Sequence, residues 1–174
     1  MNFPGVIYRD RDVLAKILNA RQQKKPIDGH APGLKGSELY AYISAGIQSD
    51  HECTTEQEAK EKLMAGMYIM IRQGTCAKNL QALLPAVNEK TARRMMWCSD
   101  DRHPHDLIAD GHIDYIVYEA IQSGLDPILA IQMATLNPAE YFNLDHLGAI
   151  APGKQADLVI FSDLKKPVIE KVYC

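Results

Sequence analysis

No two of the four cysteines, Cys53, Cys76, Cys98 and Cys174, stand in C-x-x-C spacing. That scatter fits reduced thiols in a cytosolic protein better than a disulfide framework or a cysteine-ligated zinc. No Lys/Arg run exceeds two residues and the formal net charge is -3, which argues against a nucleic-acid binder held by phosphate contacts. No stretch is long and apolar enough to span a bilayer. The start, Met1-Asn2-Phe3-Pro4-Gly5, has no basic region leading into an apolar core, so it does not read as a signal peptide. There is no repeat at a solenoid period and no low-complexity tract. A cytoplasmic protein with neither nucleic-acid nor membrane partners is the expectation.

What is present is ordinary for a globular chain: 174 residues, 47% hydrophobic and 24% charged, a length that suits one domain. Phe3-Pro4-Gly5-Val6 reads as a loop. Asp10 caps a helix whose inward stripe is Val13, Leu14, Ile17 and Leu18. Short apolar runs then alternate with helical patterns. Strands are expected at Ile27–His30, Ile47–His51, Tyr68–Arg72 and Met95–Ser99. Between them, helices are expected over Ser37–Gly46, over Glu56–Ala65 behind the capping-box signature Thr55-Glu56-Gln57-Glu58, and over Cys76–Val87. His103-Pro104-His105 reads as loop. Helices follow at Ile113–Ser123, at Pro127–Thr135 behind the Asp126 cap, and from Asn137 to about Phe142. Beyond Leu147, Gly148–Ile150, Pro152–Lys154, Ala156–Phe161 and Val168–Val172 read as strands joined by tight turns.

Strands alternating with helices mean βαβ units and a parallel sheet, so the fold class is α/β. A full (β/α)8 barrel takes about 250 residues; four strands are half of one. The expected architecture is the C-terminal half of such a barrel, residues 1–147, followed by the first strands of a small β-sandwich, residues 148–174.

Three strand ends carry polar tips: Asp28-Gly29-His30, Ser49-Asp50-His51-Glu52 and Ser99-Asp100-Asp101. In parallel barrels the reactive groups come from the C-terminal ends of several strands. Imidazoles and a carboxylate brought together there suit a metal with mixed nitrogen and oxygen ligands. A histidine at a strand end is as readily a hydrogen-bonded structural residue, Asp100-Asp101 could be a helix cap or solvated turn, and Arg72 could be a salt-bridge partner or a substrate contact. His103 and His105 read as loop residues, His112 as a helix cap and His146 as surface. Met95, Met96 and Trp97 read as core.

Asp28-Gly29-His30-Ala31-Pro32-Gly33, Ser49-Asp50-His51-Glu52, Arg72-Gln73-Gly74 with Ala77-Lys78-Asn79-Leu80, and Cys98-Ser99-Asp100-Asp101 fall in one order with helix-length gaps. In that order they resemble the adenine deaminases of the amidohydrolase superfamily. The run Gly148-Ala149-Ile150-Ala151-Pro152-Gly153-Lys154-Gln155-Ala156-Asp157-Leu158-Val159 is similar to that superfamily's return from barrel to sandwich.

The resemblance implies a divalent metal site, binuclear with manganese or iron and with zinc as an alternative. The implied reaction converts adenine and water to hypoxanthine and ammonia. His30, His51 and Asp100 match ligands at the ends of the fifth, sixth and eighth strands. The family's His-x-His and fourth-strand carboxylate have no counterpart here, and Gln73 stands where relatives carry Glu. The other deaminase solution, zinc on H-x-E and P-C-x-x-C, is absent.

Deaminating a purine needs a nucleophilic hydroxide near neutral pH, and a divalent metal provides it by lowering the pKa of water toward about 7. Asp100 is the candidate proton shuttle, Glu52 the candidate acid toward a ring nitrogen, and Arg72 a candidate substrate contact. The full-length protein is expected to be a homo-oligomer acting on a small purine. Two other readings stand beside this one: a cyclic-amide hydrolase of the dihydroorotase or hydantoinase kind, and a truncated product without activity.

Overall fold

The two longest parallel strands show why the sheet forms where it does. In β3 (Tyr68–Arg72) the side chains of Ile69 and Ile71 are fully buried and Met70 is buried on the opposite side. In β4 (Met95–Cys98) Met95, Met96 and Trp97 are all buried. Strands apolar on both faces belong inside a parallel sheet. The computed structural model, which describes all 174 residues, pairs them in parallel, Ile69 with Met95 through Arg72 with Cys98. On their flank lie two short strands, β1 (Asp28–Gly29) and β2 (Ser49–Asp50), giving the order β1-β2-β3-β4, every pair parallel.

Side-chain caps at Asp10, Thr55 and Asp126 start three of the helices. Ahead of β1 lie α1 (Phe3–Ile7) and α2 (Arg11–Gln22), and the Asp10 carboxylate accepts from the backbone N–H groups of Asp12 and Val13. Between β1 and β2 runs α3 (Gly36–Ser44), and between β2 and β3 runs α4 (Glu56–Met64), whose Thr55 hydroxyl accepts from Glu58 N–H. The Glu58 side chain accepts from Thr54 N–H rather than closing the box on Thr55. A short α5 (Leu80–Leu83) precedes β4; α6 (Pro104–Ala109), α7 (Ile113–Gln122), α8 (Pro127–Gln132) and α9 (Leu136–Tyr141) follow it.

Among the helices, three expectations change. Phe3–Ile7 is helix, not loop: Pro4 sits in the first turn, where its missing N–H costs nothing, and Val6 is buried. Pro104 likewise starts α6 in what the sequence suggested was loop. The helix expected over Cys76–Val87 shrinks to α5 and one 3-10 turn, Leu84–Ala86, since Pro85 cannot continue it. Ahead of α5, Gln73 and Lys78 form an isolated bridge, and the Gln73 side chain accepts from Leu80 N–H.

One face of the sheet packs against α4, α5, α7 and α8 through a core that includes Ile69, Ile71, Leu83, Trp97, Ile116 and Met133. A second core joins α1, α2 and α3 around Ile17, Leu39, Tyr42 and Ile47. The opposite sheet face carries Met70 and Met96, covered by Tyr141 at the end of α9. Asn137 holds α9 there by donating to the carbonyls of Ala92 and Met95 at the start of β4, both at 2.7 Å.

After α9 the chain forms one antiparallel pair, β5 (Leu158–Phe161) with β6 (Ile169–Tyr173), irregular at Ile160/Phe161. Gly148–Ile150 and Pro152–Lys154, expected as strands, are bends and turns with no ladder partner. No helix is long and apolar enough to cross a membrane.

Candidate metal centre

Parallel pairing puts the C-terminal ends of all four strands on one edge, and the polar tips gather there. Side chains alternate across a strand, so Asp28 and His30 share a face, as do Ser49 and His51. Asp28 is paired in register with Ser49, which sets these pairs side by side. Gly29 makes the close approach possible: a Cβ there would sit 2.4 Å from the Ser49 carbonyl oxygen.

His30 Nδ1 lies 3.0 Å from Glu52 Oε1 and His51 Nε2 lies 3.2 Å from the same oxygen. One ligand atom from each of the three residues falls within 4.8 Å of the others. His30 is half exposed while His51 and Glu52 are largely enclosed. His51 is oriented from behind by Asp28, whose Oδ2 is 2.7 Å from Nδ1. That contact raises the His51 pKa against the opposing effect of burial. Burial works to raise the Asp28 pKa, but hydrogen bonds from His51 and Ser49 leave it lowered.

Two imidazole nitrogens and one carboxylate oxygen fit a first-row divalent cation. Ligands about 2.1 Å from one ion sit roughly 3.0–3.4 Å from each other, close to the 3.0 and 3.2 Å between Glu52 Oε1 and the two imidazoles. A carboxylate on the remote nitrogen of a ligating histidine is the usual arrangement around such an ion. The residues fit the group.

Asp100 lies at the same edge but outside that trio. It follows β4 with a left-handed φ of 43°, and its Oδ2 accepts from Arg72 at 2.7 Å. Arg72 also grips Glu52, one guanidinium nitrogen on each carboxylate oxygen, at 2.8 and 2.9 Å. Arg72 therefore ties Glu52 to Asp100, and its Nε is buried without a partner. Sequence reasoning named all three but not the link, which depends on a side chain crossing between strand ends. Asp101 turns away: Oδ2 accepts from Cys76 N–H at 2.9 Å and the carboxylate lies against the bare Cα of Gly74.

Two further features were missed. Asp28 was read only as part of a motif, although its place two residues before His30 was the signal that it faces the same interior. Asp50, Cys53 and Glu58 form a second cluster of metal-ligating types, but a cation is already there. Lys62 Nζ donates to Asp50, to Glu58 and to the Ala31 carbonyl, at 2.8, 2.7 and 2.6 Å. Among the other histidines, His103, His105 and His146 are exposed. His112 sits at the N-cap of α7, with its ring on Ser99 Oγ rather than on the helix.

The architecture is shared with solved amidohydrolases. An enamidase matches 92% of this chain and 49% of its own at TM-score 0.71 and 19% identity. An amidohydrolase from Thermotoga maritima MSB8 matches 97% of this chain and 54% of its own at TM-score 0.64 and 18% identity. The Amidohydrolase family description matches residues 2–174, and the chain belongs to that family. Within it, a Desulfatibacillum aliphaticivorans protein named adenine deaminase is 59% identical over 173 residues, covering 99% of this chain and 30% of that protein. An adenine deaminase of Thermosipho africanus (strain TCF52B) is 58% identical over 165 residues, 95% of this chain and 29% of that protein. The chain thus spans about 30% of the length of these relatives.

Proposed function

We propose that this chain is part of an adenine deaminase, a hydrolase that converts adenine and water to hypoxanthine and ammonia. The observation that carries the reading is 59% identity, over 99% of the chain, to a protein bearing that name. In this reading residues 1–147 are the second half of a (β/α)8 barrel and residues 148–174 begin a β-sandwich. Four parallel strands, each ending at one edge, support the first assignment.

His30 and His51, with Asp100 across the mouth, would hold divalent metal, manganese or iron, in a binuclear site. When bound, such metal supplies Lewis acidity and acidifies water in contact with it. The chain's own residues do the rest. Asp28 holds the His51 ring. Asp100 takes a proton from the attacking water and passes it to the departing amine, and Glu52 relays the water's second proton to a ring nitrogen of the purine. Arg72, its fork spent on Glu52 and Asp100, keeps the two carboxylates at fixed spacing; this favours a bracing role over the substrate contact expected from sequence.

The test is a chimera in which residues 2–174 replace the matching segment of the Desulfatibacillum relative. Ammonia release from adenine and metal content are read together. Asp100→Asn and Glu52→Gln, each keeping one side-chain oxygen toward the cation, should lower kcat by about 10²–10⁴-fold, as loss of a general acid-base does, while retaining more metal than His51→Ala. His51→Ala should lose metal and activity together. A metal-loaded chimera that opens dihydroorotate or a hydantoin and leaves adenine untouched would move the chain to the cyclic-amide hydrolases.

A further inference from the structure

Asp100 has a part in the proposed chemistry, and the next carboxylate, Asp101, has none. Asp100 carries a left-handed φ of 43°, and its side chain, 38% exposed, is bonded only to Arg72. A non-glycine residue keeps such a backbone where its neighbours impose it. On the strand side, the Cys98 carbonyl accepts from Gln73 N–H at 2.9 Å, just past the last paired residues of β3 and β4. On the other side, Asp101 Oδ2 accepts from Cys76 N–H at 2.9 Å. Arg102 then anchors the chain. Its guanidinium is 3% exposed, donates to the Gly111 carbonyl at 2.8 Å and lies 4.6 Å over the Tyr115 ring.

The loop that receives Asp101 is itself fixed. Gly74 N–H donates to the Ala77 carbonyl and Asn79 N–H to the Arg72 carbonyl, both at 2.9 Å, so Cys76 N–H is presented from a closed turn. Gly74 leaves the room: a methyl on its Cα would overlap Asp101 Oδ1. That oxygen is buried without a hydrogen-bond partner. A buried acceptor left unpaired works against stability, so its placement calls for another reason. The end of β3 supplies one, because it grips both carboxylates: the Arg72 side chain holds Asp100, and the turn beginning at Arg72 holds Asp101.

We infer that Asp101, seated against Gly74, is a positioning residue that keeps Asp100 in its left-handed conformation, with the Asp100 carboxylate on Arg72 beside Glu52. The inference rests on the reading of Asp100 as the proton carrier, and the following experiment separates the two.

Kinetics and metal content are read in the chimera described above. The backbone of residue 100 is read in the 174-residue chain, from its 13Cα and 13Cβ shifts and its three-bond HN–Hα coupling. Asp101→Ala should release residue 100 from the left-handed region. It should lower kcat about 10²-fold, as misplacing a catalytic group by about 1 Å does, with KM for adenine little changed and more metal retained than in His51→Ala. Asp101→Asn, whose carbonyl oxygen still accepts from Cys76, should keep the backbone and most of the rate. Added to Asp100→Asn, Asp101→Ala should lower kcat no further, because a residue acting through another then has nothing left to act on. Gly74→Ala expels the Asp101 carboxylate without removing it; it should reproduce Asp101→Ala and carries the test if that variant does not fold. A residue 100 that stays left-handed in both Asp101→Ala and Gly74→Ala overturns the inference. So does an equal fall of kcat in the Asp100→Asn background. If Asp100→Asn alone keeps the parent rate, the proton-carrier reading falls, and the backbone of residue 100 decides the positioning role by itself.

Discussion

Lys62 is a fully buried ammonium with three protein acceptors, one for each of its N–H groups. Burial works to lower its pKa, but the Asp50 charge and its hydrogen bonds leave it raised above 10.5. A raised folded-state pKa means that its contribution is fully present below pH 10.5 and is lost only as pH climbs through the folded value. Lys62→Met strands Asp50 as a buried carboxylate without its cation, and breaking such a pair costs about 3–5 kcal/mol. Urea denaturation at pH 7 and pH 9 should show the same large loss, and equal midpoints for variant and parent would contradict it. Thiols give a second check at this scale. Burial pushes the Cys53 thiol up and brings Cys98 to about 11, while Cys76 and Cys174 are exposed. Alkylation at pH 8 should label Cys76 and Cys174 rapidly and reach Cys53 and Cys98 only after unfolding, as peptide mass mapping would record.

At the level of elements, β1 and β2 are only two residues long, yet they aim both histidines. Their contact depends on Gly29, because an added methyl would press on the backbone of Ser49 rather than on a side chain able to swing away. Gly29→Ala should cost about 1–3 kcal/mol as overpacking does. It should also move His30 away from Glu52, seen as weaker Zn2+ binding than in a surface control such as Lys16→Ala, an exposed position of α2. The strands themselves were legible in the sequence because Ile69, Ile71, Met95 and Trp97 form short apolar runs between turn signals, and the caps at Asp10, Thr55 and Asp126 were legible because their side chains bond within three residues. What could not be read was long-range. Arg72 reaching both Glu52 and Asp100, Lys62 filling the Asp50 cluster, and Tyr141 meeting Ser49 all depend on which elements become neighbours. Pro4 and Pro104 misled in one direction, since proline marks a loop and a helix start equally well.

Over the whole molecule, order is distributed unevenly. The parallel sheet is packed on both faces, whereas β5 and β6 form a lone pair with Val159, Ile160, Val168 and Val172 all about half exposed. Two antiparallel strands with no third partner are marginal in water, and the irregularity at Ile160/Phe161 interrupts their ladder further. An apolar groove of about 710 Å³ separates this pair from α8 and α9, lined by Ile131, Phe142, Leu147 and Phe161 among others. Few buried contacts therefore tie the hairpin to the rest, and such segments open at low free energy. Hydrogen exchange should register this as a gradient. Amides of Ile69, Ile71 and Trp97 should exchange only through global unfolding, while those of residues 158–173 should exchange orders of magnitude faster with little denaturant dependence. Replacing Val159 and Val172 with Lys should leave the slow set unchanged. Hairpin amides as slow as those of the sheet, or acceleration of the sheet amides by these two substitutions, would mean that the hairpin and the sheet unfold as one unit, against the proposed separation into residues 1–147 and 148–174.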